Sequence, residues 1–283
     1  MDEREWLVER FEEHRGRLRG VAYRMLGSLS EADDAVQEAW LHASRSGSDS
    51  VDNPGGWLTT IVARVCLDML RARKSRREEP LSFHLPDPVI GPEDAVLHAD
   101  AVGMALLVVL DTLGPAERLA YVLHDMFAVP FSEIGTLLGR TSTAARQLAS
   151  RARRRIRRSA VVPDGDLARQ QRVVGAFLAA ARDGDLDALL AVLDPSVVVR
   201  ADRGALGSLL VGGADRVSRE ALSFASLAAY AEVALVNGAA GIVVFRGGRL
   251  STVMGCTVLD GRIVEIDIIA DPGRLAALGR ART

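Results

Sequence analysis

The sequence predicts a multidomain fold: two all-α helical domains, the second with a helix-turn-helix, followed by an α+β domain with a curved antiparallel sheet. Apolar residues recur at helical spacing through the first 160 residues, and strand-like runs joined by turn dipeptides occupy the end. A proline-rich segment, 78–103, separates the two helical domains, and a short linker, 161–165, precedes the α+β domain. At 283 residues the chain is long enough for two or three domains that each bury a core.

Composition excludes several classes of protein. The net charge is −2, so positive charge is local, at 64–77 and 146–158, which favours a defined nucleic-acid footprint over general polyanion binding. Cys66 and Cys256 lie in segments that belong to different predicted domains, which argues against a disulfide framework or a cysteine zinc site, and we expect neither a metal nor a cofactor. The longest apolar stretch, 104–110, is far shorter than the roughly 20 residues that span a bilayer. We expect a cytoplasmic protein with no membrane anchor.

The first helical domain is predicted over 1–77. Its first helix ends before Gly27-Ser28, and a second begins at Ser30, where the pattern Ser30-x-x-Asp33 resembles a capping box. A polar loop with Asn53-Pro54 as a helix breaker follows, and a third helix is expected over 57–73.

A second helical domain is predicted over 104–160. Its segment 132–158 forms two short helices broken at Gly139-Arg140-Thr141, and each helix carries an apolar stripe, so that the two can pack across the turn. The stripes are formed by Ile134, Leu137 and Leu138 and by Ala145, Leu148, Ala152 and Ile156.

The opposite face of the second short helix predicts DNA binding. It carries side chains that can bond base edges or phosphates, and a helix-turn-helix places such a face in the major groove. These residues are Thr143, Arg146, Gln147, Ser150, Arg151 and Arg154. A solvated basic helix is the alternative, because Lys74 is the only lysine of the chain and arginine is abundant throughout. That alternative does not explain the glycine-containing turn between two matched apolar stripes.

The third domain is predicted over 166–283. Two helices at 166–182 and 185–193 precede a strand near 197–200 and a helix around 214–227. Four strand-like runs follow, at 231–236, 241–246, 250–259 and 263–270. The runs are separated by Asn237-Gly238, Gly247-Gly248 and Asp260-Gly261, dipeptides typical of hairpins in an antiparallel meander.

Three stretches together carry a family resemblance. They are AYRMLGSLSEADDAVQEAWLHA, DNPGGWLTTIVARVCLDMLRARKSRR and LDTLGPAERLAYVLHDMFAVPFSEIGTLLGRTSTAARQLASRARRRI. In this order and spacing they resemble regions 2 and 4 of an extracytoplasmic-function sigma factor of bacterial RNA polymerase. The linker sequence HLPDPVIGPEDAV and the α+β domain resemble the group with a SnoaL-like cone as a C-terminal extension, the SigJ-type factors.

The chain departs from that group at two motifs. It has His84 where the linker motif of the group has tryptophan, and Asp202-Arg203-Gly204-Ala205 where the extension has Asp-Gly-Gly-Gly. The ending Asp271-Pro272-Gly273-Arg274-Leu275 fits the Pro-x-basic-Leu ending of the group.

The resemblance implies core RNA polymerase, through its largest-subunit clamp helices and flap region, and promoter DNA as partners. The expected core-binding face is Asp33, Asp34, Gln37, Glu38 and Leu41, with a solvated acidic first turn as the alternative. The basic segment after the polar loop is expected to contact the unwound minus-10 element. Its residues are Asp52, Asn53, Trp57, Arg64, Arg71, Arg73 and Lys74. Two of them have an alternative: Trp57 as a core residue and Arg64 as a partner of Asp68. The helix-turn-helix face is expected to read the minus-35 element, with Arg153 to Arg158 on phosphates.

The third domain is expected to regulate the other two by packing on the linker and the helical domains. The expected contact residues are Phe83, His84, Leu85, Pro86, Pro88, Asp202, Arg203, Asp271 and Arg274. An unidentified small ligand is a candidate for its pocket. Catalysis by Asp202, Asp267 or Glu220 is the weaker reading, because all five histidines precede residue 166. The alternative function is a helix-turn-helix regulator fused to a ligand-binding or cyclase/isomerase-like domain.

Overall fold

The computed structural model of the chain describes residues 3–45, 52–76, 85–91, 103–159 and 164–280. The chain divides into two compact units: Met1–Pro80 with Val109–Ser159, and Leu81–Val108 with Ala160–Thr283. The predicted fold class is confirmed, because helical domains precede an α+β domain with a curved sheet. The linker segment is grouped with the C-terminal unit. Across the described ranges, no helix has both the length and the apolar character needed to cross a bilayer.

The first helical domain consists of three helices. They are α1 (Glu3–Leu26), α2 (Leu29–Ala43) and α3 (Pro54–Arg76). The apolar stripe of α2 is buried, as its spacing predicts, and it comprises Ala32, Ala35, Val36, Ala39 and Ala43. Phe11 of α1 meets Trp40 of α2 edge to face, with ring centroids 5.0 Å apart.

The predicted starts of α2 and α3 lie too late in the chain, by one residue and by three residues. The N-cap of α2 is Ser28, whose hydroxyl lies 3.1 Å from that of Ser30, so Ser30 is already inside the helix. The third helix begins at Pro54, because Asn53 accepts a hydrogen bond from the Gly56 backbone N–H at 3.0 Å. Asn53-Pro54 is therefore a helix start, with proline in the first turn where its missing N–H costs nothing.

The second helical domain contains the predicted helix-turn-helix. Its elements are α4 (Gly103–Asp111), α5 (Pro115–Tyr121), a π-helical turn (Val122–Met126), α6 (Phe131–Leu138) and α7 (Ser142–Ser159). Gly139 ends α6 in the left-handed conformation, at φ 62°. A Cβ on Gly135 would lie 2.8 Å from the Arg140 carbonyl oxygen, so the turn between α6 and α7 requires glycine there.

A buried arginine joins the helices of the first unit. Arg118 of α5 is 1 % exposed, and it donates from Nε to the Arg24 carbonyl of α1 at 3.1 Å and from Nη1 to Asp111 at 3.1 Å. Burial lowers the pKa of Arg118, whereas Asp111 opposes that shift. Arg17 of α1 donates to the Phe127 carbonyl at 3.0 Å. Region 1–80 and region 109–159 are thus packed as one body.

The second unit combines helices with a six-stranded sheet. The helices are α8 (Leu167–Asp183), α9 (Leu186–Val192), α10 (Ala214–Ser223), α11 (Ala225–Ala228) and α12 (Pro272–Arg280). The strands are β1 (Leu193–Asp202), β2 (Ser208–Gly212), β3 (Ala231–Val236), β4 (Ala239–Arg246), β5 (Arg249–Leu259) and β6 (Arg262–Ile269). Their order is β2-β1-β6-β5-β4-β3, antiparallel except for the β1–β6 pair.

The three predicted hairpin turns are present, and each has its turn residues at positive φ, from 50° at Asp260 to 77° at Gly238 and Gly261. β2 and α12 are not predicted from the sequence, and β1 is longer than predicted. β2 pairs only with β1 and has four of five residues at least partly exposed, so its apolar alternation is weak. α12 follows Asp271, whose carboxylate accepts from the Gly273 and Arg274 N–H groups at 2.7 and 3.2 Å.

Candidate nucleic-acid interface

One face of α7 presents the six residues expected to bind DNA. Thr143, Arg146, Gln147, Ser150, Arg151 and Arg154 are all exposed, whereas Ala145, Leu148, Ala152 and Ile156 are buried on the opposite side. The hydrogen bond from the Ala144 N–H to the Thr141 hydroxyl, at 3.2 Å, caps the helix. We call these six residues the recognition face.

Two arginines of α7 have contacts within the domain. The guanidinium of Arg146 lies 5.4 Å from the ring centroid of Phe131 on α6, which orients it without using its donors. Arg153, expected on phosphate, instead donates to Asp125 of the π-helical turn at 2.6 Å. Arg146 is therefore available to a base, and Arg153 serves the packing of the domain.

The basic segment of α3 is divided between exposed and structural residues. Arg64 and Arg71 are exposed, and Asp68 pairs with Arg71 at 3.3 Å, not with Arg64 as one alternative held. Trp57 is half-buried. Arg73 donates to the Leu26 carbonyl at 3.3 Å and pairs with Glu31 of α2, so its guanidinium ties the three helices together.

Three further residues of this expected set are placed as follows. Asp52 and Asn53 are exposed at the start of α3, but the Asn53 side chain caps the helix. Lys74 lies in α3, and its side chain is outside the described residues.

The expected core-binding residues form an exposed face on α2. Asp33, Asp34, Gln37, Glu38 and Leu41 are exposed, and Leu41 retains 46 % of its accessible surface. Asp33 pairs with Arg19 of α1 at 2.6 Å, and Glu38 lies 3.6 Å from His42. We call Asp34, Gln37, Glu38 and Leu41 the acidic face.

In the C-terminal unit, Arg274 of α12 binds the linker. Its guanidinium donates to Asp87 at 2.6 Å, to the Leu85 carbonyl at 2.7 Å and to Asp202 of β1 at 2.6 Å. Burial acts to lower the pKa of Arg274, but the hydrogen bonds and charges of Asp87 and Asp202 outweigh burial and raise it. The guanidinium stays protonated and fully engaged.

The linker also adds to the edge of the sheet. The Asn237 N–H donates to the Val89 carbonyl at 2.8 Å, the Val89 N–H donates to the Asn237 side-chain oxygen at 3.1 Å, and the Gly91 N–H donates to the Leu235 carbonyl at 3.1 Å. Ile90 and Val236 therefore form an antiparallel β-bridge. This is strand addition at the open edge of β3. We call residues 85–91 with Arg274, Asp202 and Asn237 the linker clasp.

A second apolar core underlies the clasp. Leu85, Met104, Val236, Val243, Val253, Ile269 and Leu275 are buried together. Each fully buried side chain of this size contributes about 1.5 to 3 kcal/mol. A Cβ on Gly255 would lie 2.9 Å from the Met104 Cβ, so glycine permits the start of α4 to lie on the sheet.

The expected regulatory residues fall into three groups. Leu85, Pro86 and Pro88 are buried in the clasp with Asp202 and Arg274. Arg203 lines a cavity of the unit, and Asp271 caps α12. Phe83 and His84 lie outside the described residues.

Asp87 and Asn237 are clasp residues that the sequence analysis missed. Asp87 stands in the quoted linker stretch between two prolines, and an acid there is a usable signal for a basic partner. Asn237 was predicted only as a turn residue, because nothing in the sequence indicates its hydrogen bonds with Val89.

Two family descriptions match the chain: "Sigma-70 region 2" over residues 10–76 and "Sigma-70, region 4" over residues 103–156. A protein of Mycobacterium tuberculosis described as a probable ECF RNA polymerase sigma factor, SigI, is 37 % identical over 272 residues, which cover 94 % of this chain and 93 % of SigI. The chain is an ECF RNA polymerase sigma factor. Its residues after region 4 are a C-terminal extension that the similarity to SigI includes.

The sigma factor SigJ of the same organism is also similar. It is 38 % identical over 289 residues, covering 94 % of this chain and 92 % of SigJ. The crystal structure of Mycobacterium tuberculosis SigJ matches with a TM-score of 0.76 over 95 % of this chain and 98 % of that chain. The sigma factor fold and its extension are therefore shared along nearly the whole length.

The three acids considered for catalysis in this sigma factor have different structural surroundings. Asp267 is 1 % exposed and pairs with Arg200 at 2.7 Å; burial raises its pKa although Arg200 opposes the shift. Asp202 belongs to the clasp, and Glu220 lines the cavity. Burial, with Asp267 nearby, raises the pKa of the Cys256 thiol to about 12. Within the described ranges, no group of three or more His, Cys, Asp or Glu residues is placed to hold a metal ion.

The capping role of Asn53 leads to a stability prediction. Asn53→Ala is expected to lower the free energy of unfolding of region 2 by about 0.5 to 2 kcal/mol, whereas Asn53→Asp keeps a capping oxygen and should lose little. The three tryptophans, Trp6, Trp40 and Trp57, all lie in region 2, so denaturant unfolding followed by tryptophan fluorescence reports on this domain. Asp52→Ala is the control. Equal midpoints for Asn53→Ala and the wild type would show that the cap carries no stability.

Proposed function

We propose that this sigma factor directs core RNA polymerase to promoter DNA in the cytoplasm, and that its extension restrains it. Region 2, at 1–77, engages the core enzyme and the minus-10 element, and region 4, at 104–160, reads the minus-35 element. The acidic face of α2, in the same chain as the recognition face of α7, is the observation that carries the proposal. A helix-turn-helix repressor needs only the second. We infer that the protein is not an enzyme.

The partner of the acidic face is proposed to be the clamp helices of the largest polymerase subunit, with the flap region as the partner of region 4. Glu38→Arg should weaken binding to the core enzyme about tenfold or more, because it places like charge against a basic surface. Glu9→Arg, exposed on α1, makes the same change outside the face and is the control. Binding is measured by copurification with core polymerase over a salt series.

Two outcomes decide between the candidate functions. Copurification of the wild type that resists raised salt, together with loss in Glu38→Arg, supports a polymerase subunit. Failure of the wild type to bind core polymerase, with binding of promoter duplex by the chain alone, would instead support the regulator fused to a ligand-binding or cyclase/isomerase-like domain.

The recognition face separates base readers from phosphate contacts. Arg146→Ala should cost about 1 to 3 kcal/mol at the preferred minus-35 sequence and relax the preference at one position. Arg154→Ala should weaken binding to all sequences alike and reduce the dependence of log K on log salt by about one charge. The base preference is measured by selecting sequences from a library of randomised minus-35 elements with holoenzyme. The salt dependence of binding is then measured on the selected sequences. A preference profile that Arg146→Ala leaves unchanged would remove this residue from the base readers.

The proposed restraint by the extension rests on comparing the spacing of the two promoter elements with the dimensions of the protein. The minus-10 and minus-35 elements lie about 25 base pairs apart, roughly 85 Å at 3.4 Å per base pair. A compact body of about 130 residues is roughly 36 Å across, so a closed first unit cannot contact both elements at once. Regions 2 and 4 must separate on the linker when polymerase engages a promoter.

The linker clasp limits the distance by which regions 2 and 4 can separate. Residues 77–102, fully extended, span about 85 to 90 Å. With the clasp closed, 85–91 are held on the sheet, and Gly103 is held as well, since its N–H donates to the Asn237 carbonyl at 3.2 Å. Eight residues, 77–84, would then be left to bridge from Arg76 to the clasp, and a chain of that length spans at most about 29 Å. We infer that the clasp opens before both promoter elements are bound.

Weakening the clasp should therefore raise activity. Arg274→Gln removes the charge that Asp87 and Asp202 share, a loss on the order of 2 kcal/mol, or about thirtyfold in the opening equilibrium. Transcript yield in vitro, from a promoter selected by the holoenzyme, is expected to increase. Arg249→Gln, exposed on β5, is the control. A yield equal to that of the control would contradict restraint by Arg274. We also propose that the cavity of the extension binds a small ligand.

A further inference from the structure

The C-terminal unit encloses a cavity of about 230 Å³ between its helices and the concave side of the sheet. Its walls are apolar apart from Arg203, Glu220 and Thr252. Phe177 of α8, Val217 of α10 and Ile266 of β6 are among the apolar walls. An apolar space of this kind stays dry and binds apolar molecules, and about 150 Å³ suffices for benzene.

Among the described residues that line the cavity, Arg203 is the one cation. It follows β1 directly, and its Nε atom is buried without a hydrogen-bond partner among the described residues. A buried donor on a charged group is costly when unpaired, because its hydration has been lost and nothing replaces it. Glu220, the carboxylate of the lining, is an exposed residue of α10 and keeps its water. Arg203 as a whole is half-buried and lines the cavity, so the cation, and not the exposed carboxylate, is the charged group that a ligand there would meet.

We propose that this cavity binds a small amphiphilic carboxylate, with the carboxylate on Arg203 and the hydrocarbon body among the apolar walls. Scaled from benzene, the volume accommodates about nine to ten non-hydrogen atoms, which is the size of a medium-chain or arylalkyl acid. A carboxylate accepts from a guanidinium in a charge-assisted hydrogen bond, which is shorter and stronger than a neutral one.

This inference rests on the proposed ligand-binding role of the extension. Arg203 is the neighbour of Asp202, which accepts from Arg274 in the linker clasp. A carboxylate drawn to Arg203 therefore acts beside the contact that holds the linker. The binding step is tested without transcription, so that its failure is distinguishable from failure of the proposed sigma activity.

The experiment titrates the full-length chain with octanoate, 1-octanol and octylamine by calorimetry. Octanoate is expected to bind tightest, with 1-octanol about ten- to a hundredfold weaker for want of the charged head group. Arg203→Gln should reduce the affinity for octanoate to that for 1-octanol. Arg219→Gln, an exposed arginine of α10 outside the cavity, makes the same change of charge and should bind octanoate like the wild type.

A cavity-filling variant, Ala181→Leu, places extra volume among the walls and should weaken octanoate and 1-octanol alike. Octylamine binding more tightly than octanoate would assign the head-group role to Glu220 and overturn the proposal. Equal affinities for octanoate in Arg203→Gln and Arg219→Gln would also overturn it, as would no binding of octanoate to the wild type.

Discussion

The guanidinium of Arg274 is the group that holds the linker on the C-terminal extension of this sigma factor. It joins a carboxylate of the linker, a carboxylate at the end of β1 and a linker carbonyl, each at 2.6 to 2.7 Å. Without a cation here, Asp87 and Asp202 would be left largely buried with like charges. The position of the linker on the sheet is thus coupled to the last helix of the extension, far along the sequence.

The clasp combines two kinds of interaction with different roles. The backbone hydrogen bonds of the strand addition at Asn237 and the burial of Leu85 are contacts that many different linker sequences could make. The ion pairs specify which segment lies there, because an acid two residues after Leu85 is required. The linker can therefore span a short distance when the clasp is closed and a longer one when it is open. The proposed DNA-binding surfaces lie on both sides of it in the chain.

How much the sequence predicts depends on how local the cause is. The stripes of α2 and α7, the hairpin turns of the sheet and the exposed recognition face all follow from spacing within one element, and the structure has them. The start of α3 was predicted three residues too late, because the side chains that cap a helix and those that form loops belong to the same residue types. Arg73 and Arg153 could not be separated from their neighbours, because their partners, Glu31 and Asp125, are set by tertiary packing.

The clasp itself was predicted only in part, for the same reason. Leu85 and Arg274 follow from family motifs, but the pairing of Asp87 with Arg274 joins residues 187 positions apart. The cavity cation was expected on the linker side, since Arg203 follows Asp202 in the chain. Consecutive residues at the end of a strand face opposite ways, so one neighbour lies in the clasp and the other in the cavity.

A reversible covalent lock on the linker shows whether the closed clasp restrains transcription. Ile90 and Val236 face each other at a bridge flanked by the hydrogen bonds of Gly91 and Asn237, a geometry with Cα atoms about 4.5 Å apart that suits a disulfide. Cys66 and Cys256 are buried and do not compete. For the chain with Ile90→Cys and Val236→Cys, transcript yield with core polymerase should fall on oxidation and recover on reduction, while the wild type is unaffected. Equal yields from the oxidised and reduced double variant would contradict the account.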